Sequence, residues 1–179
     1  MNPTEELKAE HEGILRMMDI LQAVVGKMGS LKEFPGGHIN QIMEFLKVFV
    51  DKCHHGKEEE FLFPALEKAG IPKEGGPIGV MLEEHQRGRE IIGKMSASLD
   101  NINAKSAFSE AAESYIELLR QHIDKENNVL FPMADQRLSQ KRQDQMSEEF
   151  EQLERERIGE GRHEAFHKLL EDLALIYIK

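Results

Sequence analysis

The chain has 179 residues, 40% apolar and 31% charged, enough for a buried core. Its 23 Lys and Arg against 33 Asp and Glu leave a formal charge of −10, which argues against nonspecific binding to nucleic acid or to an anionic membrane. Cys53 is the single cysteine and excludes an intrachain disulfide. With no signal-peptide pattern and no apolar run near the roughly 20 residues of a membrane span, a cytoplasmic location is expected.

Glu and Leu are the commonest residues, Lys, Ala and Met add further good helix formers, and tryptophan is absent, a composition that favours helices. The first predicted helix opens at Asn2 or Thr4. Asn2 can cap, Pro3 suits the first turn and Glu5 can close a capping box. Leu7, Ile14, Leu15, Met18, Leu21 and Val25 recur at helical spacing, and Gly29-Ser30 end the run. The turn cluster Phe34-Pro35-Gly36-Gly37 precedes a second helix, predicted from about His38 to Leu62, where Pro64 disturbs the ladder. A Gly/Pro stretch, Gly70 to Pro77, separates the halves. A third helix is predicted from Pro77 to about Leu99, then a polar turn at Asp100-Asn101-Ile102-Asn103. A fourth runs from about Lys105 to Leu130, where Pro132 repeats the role of Pro64. Ser139 to Arg157 is charged, with a narrow apolar stripe of Met146, Phe150, Leu153 and Ile158. A last helix spans Arg162 to Ile178. The expected fold is all-α: an up-down four-helix bundle over about 3–134, with two additional C-terminal helices over about 139–178, in one domain.

Two segments match over eleven positions, His54 to Pro64 and His122 to Pro132, and both read H-x-x-K-E-x-x-x-L-F-P. They lie 68 residues apart, about one helical hairpin with its connection. Within each, the His and Glu four apart share one helix face and can present a nitrogen and a carboxylate to one point. The repeat also sets the register: His54/Glu58 corresponds to His122/Glu126, whereas His55/Glu59 has no counterpart, so Glu59 is only a fallback ligand.

Each half carries an earlier histidine behind a glutamate, Glu10-His11 and Glu84-His85. In an up-down hairpin, residues equidistant from the loop centre sit at one level. The midpoint of 11 and 54 falls between residues 32 and 33, that of 85 and 122 between 103 and 104, and that of 58 and 85 between 71 and 72. All three fall inside predicted connections. His11, His54, Glu58, His85, His122 and Glu126 are therefore expected in one layer as metal ligands. This nitrogen and oxygen set suits iron, manganese or zinc rather than calcium. Two carboxylates from opposing helices can bridge two ions about 3.5–4 Å apart.

These residues resemble the hemerythrin-like (HHE cation-binding) family over roughly Leu7 to Pro132. The motifs are Glu10-His11-Glu12, the two H-x-x-x-E repeats and Pro77-Ile78-Gly79-Val80-Met81-Leu82-Glu83-Glu84-His85. The resemblance implies two iron ions, bridged by an oxo or hydroxo group and by the two carboxylates. It also implies a role in binding or sensing oxygen, handling nitric oxide or peroxide, or repairing iron centres. Arg89 stands where oxygen carriers have a second histidine on the third helix. Glu126 stands four residues after His122, where they have an Asp at five. The ligand set looks closer to the four-histidine bacterial branch, which includes iron-centre repair proteins.

The expected function is that of a non-haem di-iron protein that binds or senses O2, NO or peroxide, or handles redox at the pair. Its partner is a small diatomic or peroxide ligand, without nucleic acid or membrane. The alternatives are an iron-handling or repair protein, and an enzyme of the peroxidase or NO-reducing type; the sequence does not decide whether it turns over. A helical interaction module with coincidental histidines is the non-metal reading. Tyr115 reads as a core aromatic or as a residue lining the site, and Cys53 as a small buried thiol. His38 and His55 are expected to be partly exposed. His163 and His167 sit four apart at a metal-competent spacing, and His163 is a candidate to fill the position vacated at Arg89. Met17, Met18, Met28 and Met43 read as core filler.

Overall fold

The computed structural model describes residues 1–28, 35–100 and 105–178, and the elements among them are all helical. Six helices follow in order: α1 (Pro3–Lys27), α2 (residues 36–68), α3 (Pro77–Leu99), α4 (residues 105–137), α5 (Gln140–Arg157) and α6 (Arg162–Tyr177). The expected all-α bundle with two further C-terminal helices is the one observed. The predicted helix stop at Gly29-Ser30, Phe34 of the turn cluster, and Asn101 to Asn103 of the polar turn lie outside the described residues.

Helix α1 starts as its sequence dictates. The Asn2 side chain accepts from the Glu5 amide, the Glu5 carboxylate accepts from the Asn2 amide, and Pro3 occupies the first turn. Ser139 caps α5 by accepting from the Arg142 amide.

The ends of α2 and α4 differ from expectation. Both run past their prolines, to Lys68 and Arg137, instead of stopping at Leu62 and Leu130. A proline lacks the amide hydrogen for the carbonyl four residues back, and its ring crowds that carbonyl. The chain absorbs this with a wide π turn just before each proline, at Glu58–Leu62 and Glu126–Leu130. The Phe63 amide donates to the Glu58 carbonyl, and the Phe131 amide to that of Glu126, each five residues back. The repeated Leu-Phe-Pro thus sets a repeated backbone device that begins at the repeated glutamate. A longer π stretch, Phe45–His55, carries Cys53, His54 and His55.

Helices α1 to α4 pack in a ring, α3 most extensively on α4 and α4 on α1. Helices α5 and α6 lie outside, across α1 and α2. The interior holds two apolar clusters. One gathers Ile14, Met18, Leu21, Phe45, Phe49 and Leu119, and the other Leu7, Leu62, Phe63, Met81, Leu130 and Phe131. On each bundle helix the candidate ligands fall between the residues of one cluster and those of the other, so a polar layer crosses the bundle interior. Helix α5 reaches the second cluster through Met146 and Phe150, and α6 the first through Phe166 and Leu170.

Candidate metal centre

The polar layer contains His11, His54, Glu58, His85, His122 and Glu126, each at most 2% exposed. All six residues singled out from the sequence come together. Helix α1 supplies His11, α2 supplies His54 and Glu58, α3 supplies His85, and α4 supplies His122 and Glu126.

The imidazoles are oriented alike. Each turns its Nδ1 outward, onto an acceptor from another helix. His11 Nδ1 donates to Asn127 Oδ1 at 2.7 Å and His54 Nδ1 to Glu10 Oε1 at 3.0 Å. His85 Nδ1 donates to Glu59 Oε2 at 2.9 Å and His122 Nδ1 to Glu84 Oε1 at 3.0 Å. With the Nδ1 atoms protonated, the four Nε2 atoms present lone pairs to the interior. Such outer partners fix the tautomer and orientation of a ligating histidine.

The inward atoms crowd one another. His54 Nε2 lies 2.6 Å from Glu58 Oε1, and His85 Nε2 lies 3.3 Å from Glu58 Oε2. Glu126 Oε1 is 2.9 Å from His122 Nε2 and 3.4 Å from His11 Nε2. The Nε2 atoms of His85 and His122 face each other at 3.2 Å. Buried His11 Nε2, His54 Nε2 and all four carboxylate oxygens of Glu58 and Glu126 have no aligned hydrogen-bond partner. Lone pairs meeting lone pairs in a dry interior are costly unless a cation sits among them. The donors fall into two overlapping groups, His11, His54, Glu58 and Glu126, and Glu58, His85, His122 and Glu126. Within each, the ligand atoms lie within 4.8 Å of one another, close enough to share an ion. Glu58 and Glu126 belong to both groups, as two bridging carboxylates would. The residues therefore fit a metal centre, on the orphaned atoms as well as on the donor types.

Without metal, protons are drawn to the same place. Burial opposes a charge on His54, but Glu58 and Glu10 outweigh it and push its pKa up to about 10. His122 reaches about 10 for the same reason, with Glu126 and Glu84 overcoming its burial. Burial would raise the Glu126 carboxyl, yet the neighbouring histidines hold it well below its ordinary value. Each i,i+4 His/Glu pair thus attracts positive charge to the point where a metal would bind.

Sequence reasoning missed the supports around this layer, although their signal was present. Both repeats carry a lysine one position before the Glu. Lys57 Nζ donates to Glu10 Oε2 at 2.7 Å, and Lys125 Nζ to Glu84 Oε2. The two glutamates held this way are the ones directly before His11 and His85, and they orient His54 and His122. The residues directly after the repeated glutamates, Glu59 and Asn127, orient His85 and His11. Glu59, the fallback ligand, is thus an outer partner, tied also to Arg89 Nη2.

His55 is buried, not partly exposed, because it stacks on His85 with ring centroids 3.8 Å apart. Burial and the charges of His85, His54 and His122 hold it well below its ordinary pKa. His38 is half-buried, with Nδ1 2.6 Å from the Tyr177 hydroxyl. His163 does not join the ligand layer. It faces Glu154 Oε1 at 3.4 Å and groups with Glu154 and Glu10, whereas Arg89 binds Asp51 and Glu59. Lys57 Nζ already occupies the place of a cation there, 2.7 Å from Glu154 Oε1. Cys53 is buried, and burial pushes its thiol pKa up, as suits an inert thiol. Tyr115 is both a core aromatic and part of the wall of a cavity of about 270 Å3 that His55 and His85 also line.

Comparison with known proteins gives a consistent picture. The description of the hemerythrin HHE cation binding domain matches residues 2–134, which hold the bundle and all six residues of the layer. An uncharacterized protein of Mycobacterium tuberculosis is 28% identical over 165 residues, 88% of this chain and 63% of that protein. Iron-sulfur cluster repair protein YtfE of Escherichia coli is 33% identical over 88 residues, 45% of this chain and 40% of its own. YtfE of an Enterobacter species is 34% identical over the same length. The chain thus spans less than two thirds of these relatives. Among the described residues, no helix is long and apolar enough to cross a membrane.

Proposed function

We propose that this chain, which belongs to the hemerythrin HHE cation-binding family, holds two iron ions in its polar layer and uses them to bind a small oxidising ligand: O2, NO or peroxide. The observation that carries this reading is the inward convergence of four Nε2 lone pairs on two shared, unpartnered carboxylates. His11 and His54 would hold one ion and His85 and His122 the other, with Glu58 and Glu126 within reach of both. When bound, the pair supplies one-electron chemistry and coordination positions that the protein leaves open.

The chain's own residues do the rest. Glu10, Glu59, Glu84 and Asn127 hold the four imidazoles in one tautomer. Phe131 stacks on His11 with centroids 5.3 Å apart, and Phe63 on His85 at 5.8 Å. With Leu62 and Leu130 they form an apolar floor that keeps bulk water from the layer. On the other side, the cavity beside Tyr115 gives a small molecule a route to the layer.

A second reading, an iron-handling role in the repair of iron centres, is supported by the likeness to iron-sulfur cluster repair proteins. Stopped-flow absorption of the reduced, iron-loaded protein mixed with O2, H2O2 or NO separates the two. A charge-transfer band that forms and reverses supports ligand binding. Repeated consumption of the oxidant points to an enzyme. Bleaching with loss of iron to a chelator points to the repair reading and would set the first aside.

A further inference from the structure

The polar path behind His54 does not end within residues 2–134, the stretch that matches the cation-binding domain. It continues onto α5, which lies beyond them. His54 Nδ1 donates to Glu10 Oε1 at 3.0 Å, and Lys57 Nζ donates to the other oxygen of Glu10 at 2.7 Å. The same ammonium donates to Glu154 Oε1 of α5, also at 2.7 Å. We infer that Glu154 is a positioning residue of the metal centre: through Lys57 and Glu10 it sets how strongly His54 donates to its ion, so that the C-terminal helices tune the redox balance of the iron pair. This rests on the two-iron reading above.

Three observations support it. The first is the dryness of the path. Lys57 is fully buried, Glu10 is 5% exposed, and α5 lays the Phe150 ring over the ammonium, 5.5 Å from Nζ to the centroid. Charges act on one another strongly where water is excluded. The second is that the Glu154 carboxylate is held in place from two other helices. The oxygen that meets Lys57 also accepts from the Cys53 thiol of α2 at 3.8 Å and faces His163 Nδ1 of α6 at 3.4 Å. The third is the contrast with the other half of the site. Lys125, Glu84 and His122 repeat the order Lys57, Glu10 and His54. Among the described residues, however, Glu84 is the one carboxylate that pairs with Lys125, and the lysine side chain is 42% exposed, where water screens its charge. The path from His54 is the one that α5 has extended and covered.

The direction of the effect follows from how Lys57 is shared. Its charge is divided among Glu6, Glu10 and Glu154. With Glu154 neutral, more of it falls on Glu10, which then accepts less strongly from His54 Nδ1. A histidine whose outer hydrogen bond weakens is a less basic ligand. The oxidised pair, which carries more positive charge, loses more by this than the reduced pair does.

The test uses the untagged full chain, loaded anaerobically with Fe(II) and assayed for iron. Its midpoint potential is then read by spectroelectrochemical titration, and its Fe(II) affinity by competition with a chelator. Glu154→Gln should raise the potential and weaken Fe(II) binding about threefold to tenfold, less than the 10–100-fold of a direct outer partner. Glu154→Asp draws the same charge back by one methylene and should shift both quantities in the same directions by less. It serves alone if the glutamine variant does not fold, as judged by thermal unfolding of the apoprotein. Arg157→Gln breaks the exposed pair with Glu60 between the same two helices and should leave both quantities at their wild-type values. An unchanged or lowered potential in folded Glu154 variants would overturn the role of Glu154 while leaving the two-iron reading intact. So would an Arg157→Gln protein that shifts as Glu154→Gln does, since the effect would then belong to the docking of α5 and not to the path. A wild type that takes up no iron pair would overturn both readings.

Discussion

Lys57 Nζ stands 2.7 Å from Glu10 Oε2, and its side chain is fully buried. Glu6 at 2.9 Å and Glu154 at 2.7 Å complete its shell, and burial, which would discharge the amine, is outweighed by these carboxylates. Because the other oxygen of Glu10 receives His54 Nδ1, the ammonium is one step from the ligand layer. Lys125, its counterpart in the second repeat, has a side chain 42% exposed.

Removing one partner of a buried charge network leaves the others uncompensated, which costs about 3–5 kcal/mol. Lys57→Met should lower the urea-unfolding stability of the apoprotein by that order. Lys125→Met, at an exposed pair, should cost under about 1 kcal/mol.

The C-terminal helices should add a pH-dependent share of stability through Glu154. The His163 hydrogen bond, working against burial and aided by Lys57, lowers its pKa to about 2. A carboxyl with a depressed folded pKa stabilises above its unfolded value of about 4.5 and loses that share as pH falls toward 2. His163 is raised by the same pair, so its share is present below about 6.5 and fades as pH rises. The difference in thermal midpoint between wild type and Glu154→Gln apoprotein should therefore be largest near pH 5 to 6 and vanish near pH 2.

The outer partners should govern metal affinity without touching the ions. Glu84→Ala frees the His122 ring and should weaken iron binding about 10–100-fold, measured by competition with a chelator. Circular dichroism of this variant should stay that of the wild type, because Glu84 is partly exposed and lies outside the apolar clusters.

Phe131 is fully buried and stacks nearly parallel to His11, at 11°. Phe131→Ala should cost about 3–5 kcal/mol of stability in urea unfolding, the usual range for emptying such a site.

The layer was legible in the sequence because it is fixed by spacing: an i,i+4 pair repeated with its Leu-Phe-Pro, and three loops whose centres level the remaining histidines. Helix continuation past Pro64 and Pro132 was not legible, because proline ordinarily stops a helix and the π turn that absorbs it leaves no mark in the apolar spacing. His55 was hidden because helical spacing turns it away from His54, and only its stack on His85 shows it buried. The lysines of the repeat were visible but silent, since only the packing of α5 shows that Lys57 is buried among three carboxylates. His163 has ligand spacing with His167, and only the structure shows that Glu154 claims it.

The central claim is that Glu58 and Glu126 hold two irons between four histidines. Iron content of untagged wild type and of Glu58→Ala/Glu126→Ala, loaded anaerobically with Fe(II) and freed of excess metal, tests it most directly. The account predicts about two irons per wild-type chain and none retained by the double variant, with both proteins folded. Equal iron in the two proteins would contradict it.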